Sequence, residues 1–219
     1  MSAKSLGHVD PYYRGLRHEM LPFVPDSIAS ALDVGCGAGG FGEMIKERTG
    51  AEVWGIEINQ NMGEEAKSRL DKVIMADAIE AMRSIPNKRF DAIIFNDVLE
   101  HMAWPDEALC IAATLLSETG VVVASIPNIR YFRALKQIVL RRDFPWEDSG
   151  VFDRTHLRFF TEKSIVRLFE SSGYQVERIE GINAAVGTKL SIALFLTFGL
   201  FRDARYLQYA VVASPMQQP

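Results

Sequence analysis

The chain is short of cysteine, of excess positive charge and of any long hydrophobic run, and each shortage removes a class of protein. Cys36 and Cys110 are its two cysteines in 219 residues. They stand far apart and outside any Cys-x-x-Cys spacing, so neither a disulfide framework nor a thiolate zinc site is expected, and a reducing, cytoplasmic setting is the default. The longest apolar stretch, Leu190 to Phe201, is interrupted by Ser191, Thr197 and Gly199 and falls short of the roughly 20 residues that span a bilayer. Met1 to Asp10 is polar and lacks the apolar centre of a signal peptide, so export is not expected. A formal net charge of −4 argues against a general nucleic-acid binder, which needs a basic surface against phosphate. No repeat, low-complexity tract or linker is found.

What is present is the balance of an ordinary globular chain, 48% hydrophobic and 24% charged, at a length that suits one domain over 1–219. Short runs rich in Val, Ile and Phe predict strands at Ser30–Val34, Val53–Ile58, Lys72–Ala76, Phe90–Asn96 and Gly120–Ile126, with helical segments near 40–49, 61–70, 79–84 and 105–117 between them. Continuous rather than alternating hydrophobicity in such strands means that both sheet faces are covered. The expected fold class is therefore α/β, doubly wound and mostly parallel, that is, Rossmann-like. Further on, the pattern predicts a helix at Ile129–Leu140, a polar and aromatic loop over Arg141–Phe160, and a helix at Glu162–Ser172 capped by Thr161 and stopped by Gly173. A strand at Tyr174–Ile182, an apolar helix at Thr188–Phe201 and a strand at Tyr206–Ala213 follow. A lead-in helix is expected at Tyr12–Phe23, within 1–29.

The first strand runs into Gly35-Cys36-Gly37-Ala38-Gly39-Gly40 and then a helix. Glycines there let the backbone turn tightly and let a ligand approach closely. Gly35, Gly37 and Gly40 also satisfy the dinucleotide pattern G-x-G-x-x-G, so an NAD-dependent oxidoreductase has to be weighed. Asp33, an acid ahead of the glycines, separates the two readings: it would repel a pyrophosphate but not the cationic end of S-adenosylmethionine. Glu57 ends the second strand about 20 residues after the loop, where a carboxylate can take ribose hydroxyl protons from either cofactor. Asp77 ends the third strand and is placed to accept from an adenine amino group, with Ala78 as a nearby backbone donor. Each acid on its own is equally a helix N-cap.

Together with Phe90 to His101, these blocks fall in an order that resembles the class I S-adenosylmethionine-dependent methyltransferases, from about Leu32 to Ile126. The resemblance implies a seven-stranded sheet with the last strand antiparallel, and a cofactor site made by Asp33, Gly35, Cys36, Gly37, Gly39, Glu57, Ile58, Asp77, Ala78 and Asn96. Where the family has a short connection before its last strand, this chain has the apolar helix Thr188–Phe201. Related enzymes fold a lead-in helix over the cofactor. Arg17 then pairs with the methionine carboxylate and Tyr12 or Tyr13 covers the sulfonium, although surface packing accounts for these residues equally; Arg14 belongs to the same group, and His8 and His18 stay unassigned.

Open α/β sheets bind ligands at the carboxyl ends of their strands, which puts Asn96 to His101 beside a transferable methyl. His101 is a candidate base, or a neutral histidine ordering a helix end. Asp97, Glu100 and His101, read with His156 in Asp153-Arg154-Thr155-His156, also make a mixed oxygen and nitrogen set for a divalent cation. This layout is similar to that of quinone-biosynthesis and small-RNA terminal methyltransferases, in which a metal binds vicinal hydroxyls; Asn96 competes with Asp97 for the first position. Residues 127–160 and 183–203 read as acceptor-side elaborations. The expected acceptor is a small molecule bearing a hydroxyl, aromatic or, by the likeness of Asp153–Thr161 to bacterial surface-polysaccharide methyltransferases, a sugar. The aromatics Phe144, Trp146, Phe152, Phe159 and Phe160 among Arg141, Arg142, Arg154 and Arg158 suit a flat or anionic acceptor, or serve as anchors of the loop. No Asn/Asp-Pro-Pro-Tyr motif is present, so methylation of nucleic-acid bases is not expected. Asn128 to Arg142 carries Arg130, Arg133 and Lys136 among apolar residues, the pattern of a solvated face or of peripheral contact with an anionic membrane. Helix 188–201 reads as core, dimer contact or lipid-facing lid. A non-catalytic cofactor-binding module is the alternative from another class, and it requires a blocked acceptor side.

Overall fold

The computed structural model describes residues 16–187 and 199–216. Among these, seven strands form one sheet in the order β3-β2-β1-β4-β5-β7-β6. They are β1 (Ser30–Val34), β2 (Glu52–Ile56), β3 (Lys72–Ile74), β4 (Phe90–Asn96), β5 (Leu116–Pro127), β6 (Tyr174–Ala184) and β7 (Tyr206–Pro215). Strands β1 to β5 pair in parallel, whereas β7 enters antiparallel between β5 and β6. The mostly parallel, doubly wound seven-stranded sheet with an antiparallel last strand is thus the architecture found.

The helices are α1 (Gly40–Thr49), α2 (Gln60–Ala66), α3 (Ala78–Arg83), α4 (Pro105–Leu115), α5 (Phe132–Leu135) and α6 (Glu162–Ser171). Side chains alternate across a strand, so each strand feeds two cores. Leu32 and Val34 of β1 and Ile93 and Phe95 of β4 pack with residues of α3, α4 and α6. Ala31, Ala92 and Ile94, one residue out of phase, join Phe41 and Ile45 of α1 and Ala66 of α2. Asp33 shares the register of Ala31, and its carboxylate therefore points to the α1 side at the carboxyl end of the strand. Helix α6 begins as its sequence implies: Thr161 Oγ1 accepts from Ser164 N at 3.3 Å in a capping box, and Gly173 follows with φ +84°.

Two expected elements differ, and a third falls mostly outside the described residues. Of the lead-in helix Tyr12–Phe23, residues 12–15 lie outside the described residues, and 16–23 form a turn and a short 3₁₀ helix at Leu21–Phe23. Pro22 and Pro25 account for this, because Val24 ahead of Pro25 is held extended at ψ 130°. The helix expected at Ile129–Leu140 starts only at Phe132 and widens to a π-turn over Lys136–Leu140. Asn128 is the cause: its Oδ1 accepts from Arg130 N at 2.9 Å, giving the backbone a side-chain alternative to the first helical turn. The apolar helix expected at Thr188–Phe201 falls on 188–198, outside the described residues; Gly199 to Phe201 is a turn. Among the described residues no helix is long and apolar enough to cross a membrane.

Candidate functional site

The glycine loop leaves β1 with Gly35 at φ +72°, where a Cβ would stand 2.6 Å from Val98 Cγ2. Both the left-handed backbone and the space forbid a side chain there. The Gly35 and Cys36 amides donate to Ile56 O at 2.8 and 3.0 Å. Glu57 fastens the loop from below: its Oε2 accepts from Gly37 N at 2.8 Å and its Oε1 from Asn59 N at 2.8 Å. Arg69, itself paired with Glu43 and Glu65, donates to Ala38 O. Gly39 caps α1 in the left-handed conformation. The Cys36 thiol is buried, and burial together with Asp33 and Glu57 pushes its pKa far up, so it is a wall rather than a nucleophile.

Asp33 is 2% exposed, and its Oδ2 has no hydrogen-bond partner. Burial first, then the Glu57 charge, pushes its pKa up to about 7 against the opposing pull of the Gly42 amide. A carboxyl whose folded pKa lies above its unfolded one contributes stability that is complete below the unfolded value and is lost as pH rises through the folded one. The melting temperature of the ligand-free protein should therefore fall between about pH 4 and 7, and Asp33→Asn should flatten that fall. A variant that melts with the wild-type pH dependence would show that another group is responsible.

Asp77 behaves as the cap that the sequence also allowed: its Oδ1 accepts from Ile79 N at 2.9 Å and Glu80 N at 3.3 Å at the start of α3, whose first residue is Ala78. Asp77, Ala78 and Ile58 do not line the main cavity. Ile58 projects beside Glu57 with 72% exposure.

On the other side of the cavity, Asn96 ends β4 with neither side-chain amide atom hydrogen-bonded. Asp97 follows at φ +54°. It is held by a network, accepting at Oδ1 from Ser125 Oγ (3.0 Å) and Gln208 Nε2 (2.6 Å) and at Oδ2 from Arg17. Arg17 also donates to Glu19 Oε1 at 2.7 Å and to Ser125 Oγ at 3.2 Å. Of the expected metal set, Glu100, His101 and His156 each bring a ligand atom within 4.8 Å of the others; Asp97 stands outside this cluster and its Oδ2 accepts from Arg17.

Glu100 is 1% exposed, and neither of its oxygens is hydrogen-bonded. His156 Nε2 stands 3.9 Å from Glu100 Oε1. Burial, reinforced by Asp97, raises its pKa well above the usual carboxylate range. Burial and His101 lower that of His156. The two imidazole rings meet edge to face, with centroids 4.7 Å apart. An orphaned buried carboxyl beside two imidazoles is a mixed oxygen and nitrogen set that could hold a borderline divalent cation.

A cavity of about 810 Å3 connects the glycine loop, Asp33 and Glu57 to Asn96, His101 and His156. Ligand sites usually span about 300–1,000 Å3, so this one has room for a nucleoside-sized cofactor and a small acceptor together. Gln208 and Asn183 also line it. The sequence reading passed over both, although Gln208 is a polar residue inside an otherwise apolar strand, which is the signal that marks it.

The aromatic residues of the loop after α5 divide by burial. Phe152 and Phe160 are buried anchors, while Phe144, Trp146 and Phe159 are exposed and grouped around Phe144. In the basic segment, Arg130 is engaged with Asp203, and Val139 and Leu140 are exposed.

A family model described as a methyltransferase domain matches residues 6–179. The ubiquinone biosynthesis O-methyltransferase of Aeromonas salmonicida is 26% identical over 160 residues, 70% of this chain and 66% of that protein. That of Burkholderia pseudomallei is 25% identical over 156 residues, 69% and 66%. The chain thus spans just under two thirds of the length of these curated relatives. A crystal structure of a SAM-dependent methyltransferase from Archaeoglobus fulgidus shares the fold with a TM-score of 0.70 at 22% identity, covering 92% of this chain and 96% of that one.

Proposed function

Because the chain belongs to the methyltransferase family that its residues 6–179 match, we propose that it transfers the methyl group of S-adenosylmethionine to a hydroxyl oxygen of a small-molecule acceptor. The observation that carries this reading is the single cavity that joins the glycine loop to the Glu100, His101 and His156 cluster. The residues present fit the cofactor: the loop leaves no room for side chains at Gly35, and Asp33 offers an unpartnered oxygen. Glu57 would take the ribose hydroxyl protons while keeping its two backbone partners, since each carboxylate oxygen has two lone pairs. Ile58 would cover one adenine face, and Asp77 with the Ala78 amide would take the amino edge. Asn96 would meet the methionine end, and Arg17, with one N–H on Nη1 in reserve, the carboxylate. An NAD oxidoreductase, which the glycines alone allow, has no support in a methyltransferase match, and the open path to His101 and His156 disfavours a non-catalytic module.

S-adenosylmethionine supplies an activated methyl on a sulfonium, and displacement at that carbon leaves the protein two tasks, alignment of the acceptor oxygen and removal of its proton. His101 lines the cavity and is the candidate to take the proton. Glu100, His101 and His156 would alternatively hold a divalent cation, which acidifies a bound hydroxyl. Adjacent hydroxyls, on an aromatic ring or a sugar, suit that arrangement. Residues 127–160 and 183–203 serve as acceptor-side elaborations of one methyltransferase domain. The test is incubation with methyl-labelled S-adenosylmethionine and panels of catechols and nucleotide sugars, with and without chelator. Label on a hydroxyl oxygen is the expected result. Label on none of them, with the cofactor bound, would sink the hydroxyl reading.

A further inference from the structure

The cluster at His101 and His156 has a built support that lies in one short loop. His101 Nδ1 stands 3.0 Å from Thr155 Oγ1 and 3.2 Å from Thr155 O. The single hydroxyl proton of Thr155 is committed elsewhere, to Asp153 Oδ1 at 2.6 Å, and the Thr155 amide donates to the same oxygen at 2.8 Å. Asp153 remains an acceptor: burial raises its pKa, but the two bonds from Thr155, together with His156 and His101, bring it below the usual range. Both neighbours of His101 Nδ1 are therefore acceptors, so a neutral ring carries its proton there and leaves the Nε2 lone pair bare. The same logic applies to His156, whose Nδ1 faces Val151 O at 3.3 Å. The loop is clamped to the third member as well, since the Leu157 and Arg158 amides donate to Glu100 O at 2.8 and 3.0 Å.

We propose that Thr155, itself held by Asp153, is a positioning residue that fixes His101 in the Nδ1–H tautomer, so that His101 Nε2, His156 Nε2 and the Glu100 carboxylate form a preformed clamp for a divalent cation. This rests on the cation reading of the cluster. Partners of this kind, which hold the second nitrogen of a ligating histidine, change metal affinity by about 10–100-fold when removed. Only one of the two acceptors at His101 Nδ1 is a side chain, so the lower end of that range applies to its loss.

The experiment uses the full chain stripped of metal by chelator, titrated with Mn2+ under electron paramagnetic resonance, with imidazole 15N–1H correlation spectra recorded before the metal is added. Expected for the wild type are an Nδ1–H tautomer at His101 and saturable Mn2+ binding. Thr155→Val should bind Mn2+ about tenfold more weakly and show a mixture of tautomers, and Thr155→Ser should restore both. S-adenosylhomocysteine affinity should be equal in all three, which reports an intact fold. An Nε2–H tautomer at His101 in the wild type overturns the positioning role, as does Thr155→Val that binds Mn2+ like the wild type. An Nδ1–H tautomer without Mn2+ binding overturns the clamp and the cation reading together, while leaving the cofactor reading standing.

Discussion

Glu57→Ala is expected to weaken S-adenosylhomocysteine binding by on the order of 10²-fold, because it removes an ionised acceptor whose hydrogen bonds are worth about 1.5–3 kcal/mol each. The loss has two sources that add. The carboxylate is the proposed partner of the ribose hydroxyls, and it also anchors the amides of Gly37 and Asn59 at 2.8 Å. The variant should therefore also melt at a lower temperature without ligand, as Gly37 N is left unpartnered in a part-buried loop. Glu57→Gln separates the two effects, since its amide oxygen can keep one backbone bond but a diol prefers an ionised acceptor. Calorimetric titration that found Glu57→Ala within threefold of wild type would remove Glu57 from the cofactor site.

The second large effect is of opposite sign in stability and in function. Glu100→Met should make the metal-free protein more stable, by about 1–3 kcal/mol in a urea titration, because an unpartnered buried carboxyl is replaced by an apolar chain of similar reach. The same change should lower methyl transfer by on the order of 10²-fold, as expected if Glu100 helps to hold a cation that binds the acceptor hydroxyl. Residues retained at a cost in stability are those whose chemistry is needed. If Glu100→Met were less stable and still active, the carboxyl would be a structural element whose partner is the protein itself.

The fold was legible in the sequence because its signals are local and consistent. β1 and β4 were delimited to the residue, Thr161 and Gly173 marked both ends of α6, and the strands of the parallel half were short runs rich in Val, Ile and Phe. What failed was non-local. Asn128 halts a helix through its own turn, and its side-chain amide simultaneously donates to Asp203 O and Tyr206 O, residues more than 70 positions away. The site shows the same division. Gly35, Glu57 and Asn96 could be placed by their position at strand ends, whereas the fate of Asp97 depended on Arg17, 80 residues earlier, and no spacing rule connects the two. His101 and His156, which the motif resemblance sets side by side, have ring centroids 4.7 Å apart, but the polarity of Thr155 and Asp153 around them emerges only from distances.

The placement of β7 has a consequence for how the chain is made. Its residues 206–215 fill the slot between β5 and β6, so a ribosome that has finished β5 and β6 has produced two strands with no neighbour between them. Through that interval the inner edge of β5 presents unpaired amides and carbonyls, the kind of edge that recruits other chains. Sheet closure and completion of the cavity wall by Gln208 are then the same late event. A ribosome that stalls before residue 206 would release a chain with most of its helices and strands synthesised, an open edge and no finished site, a substrate for chaperones rather than a weak enzyme.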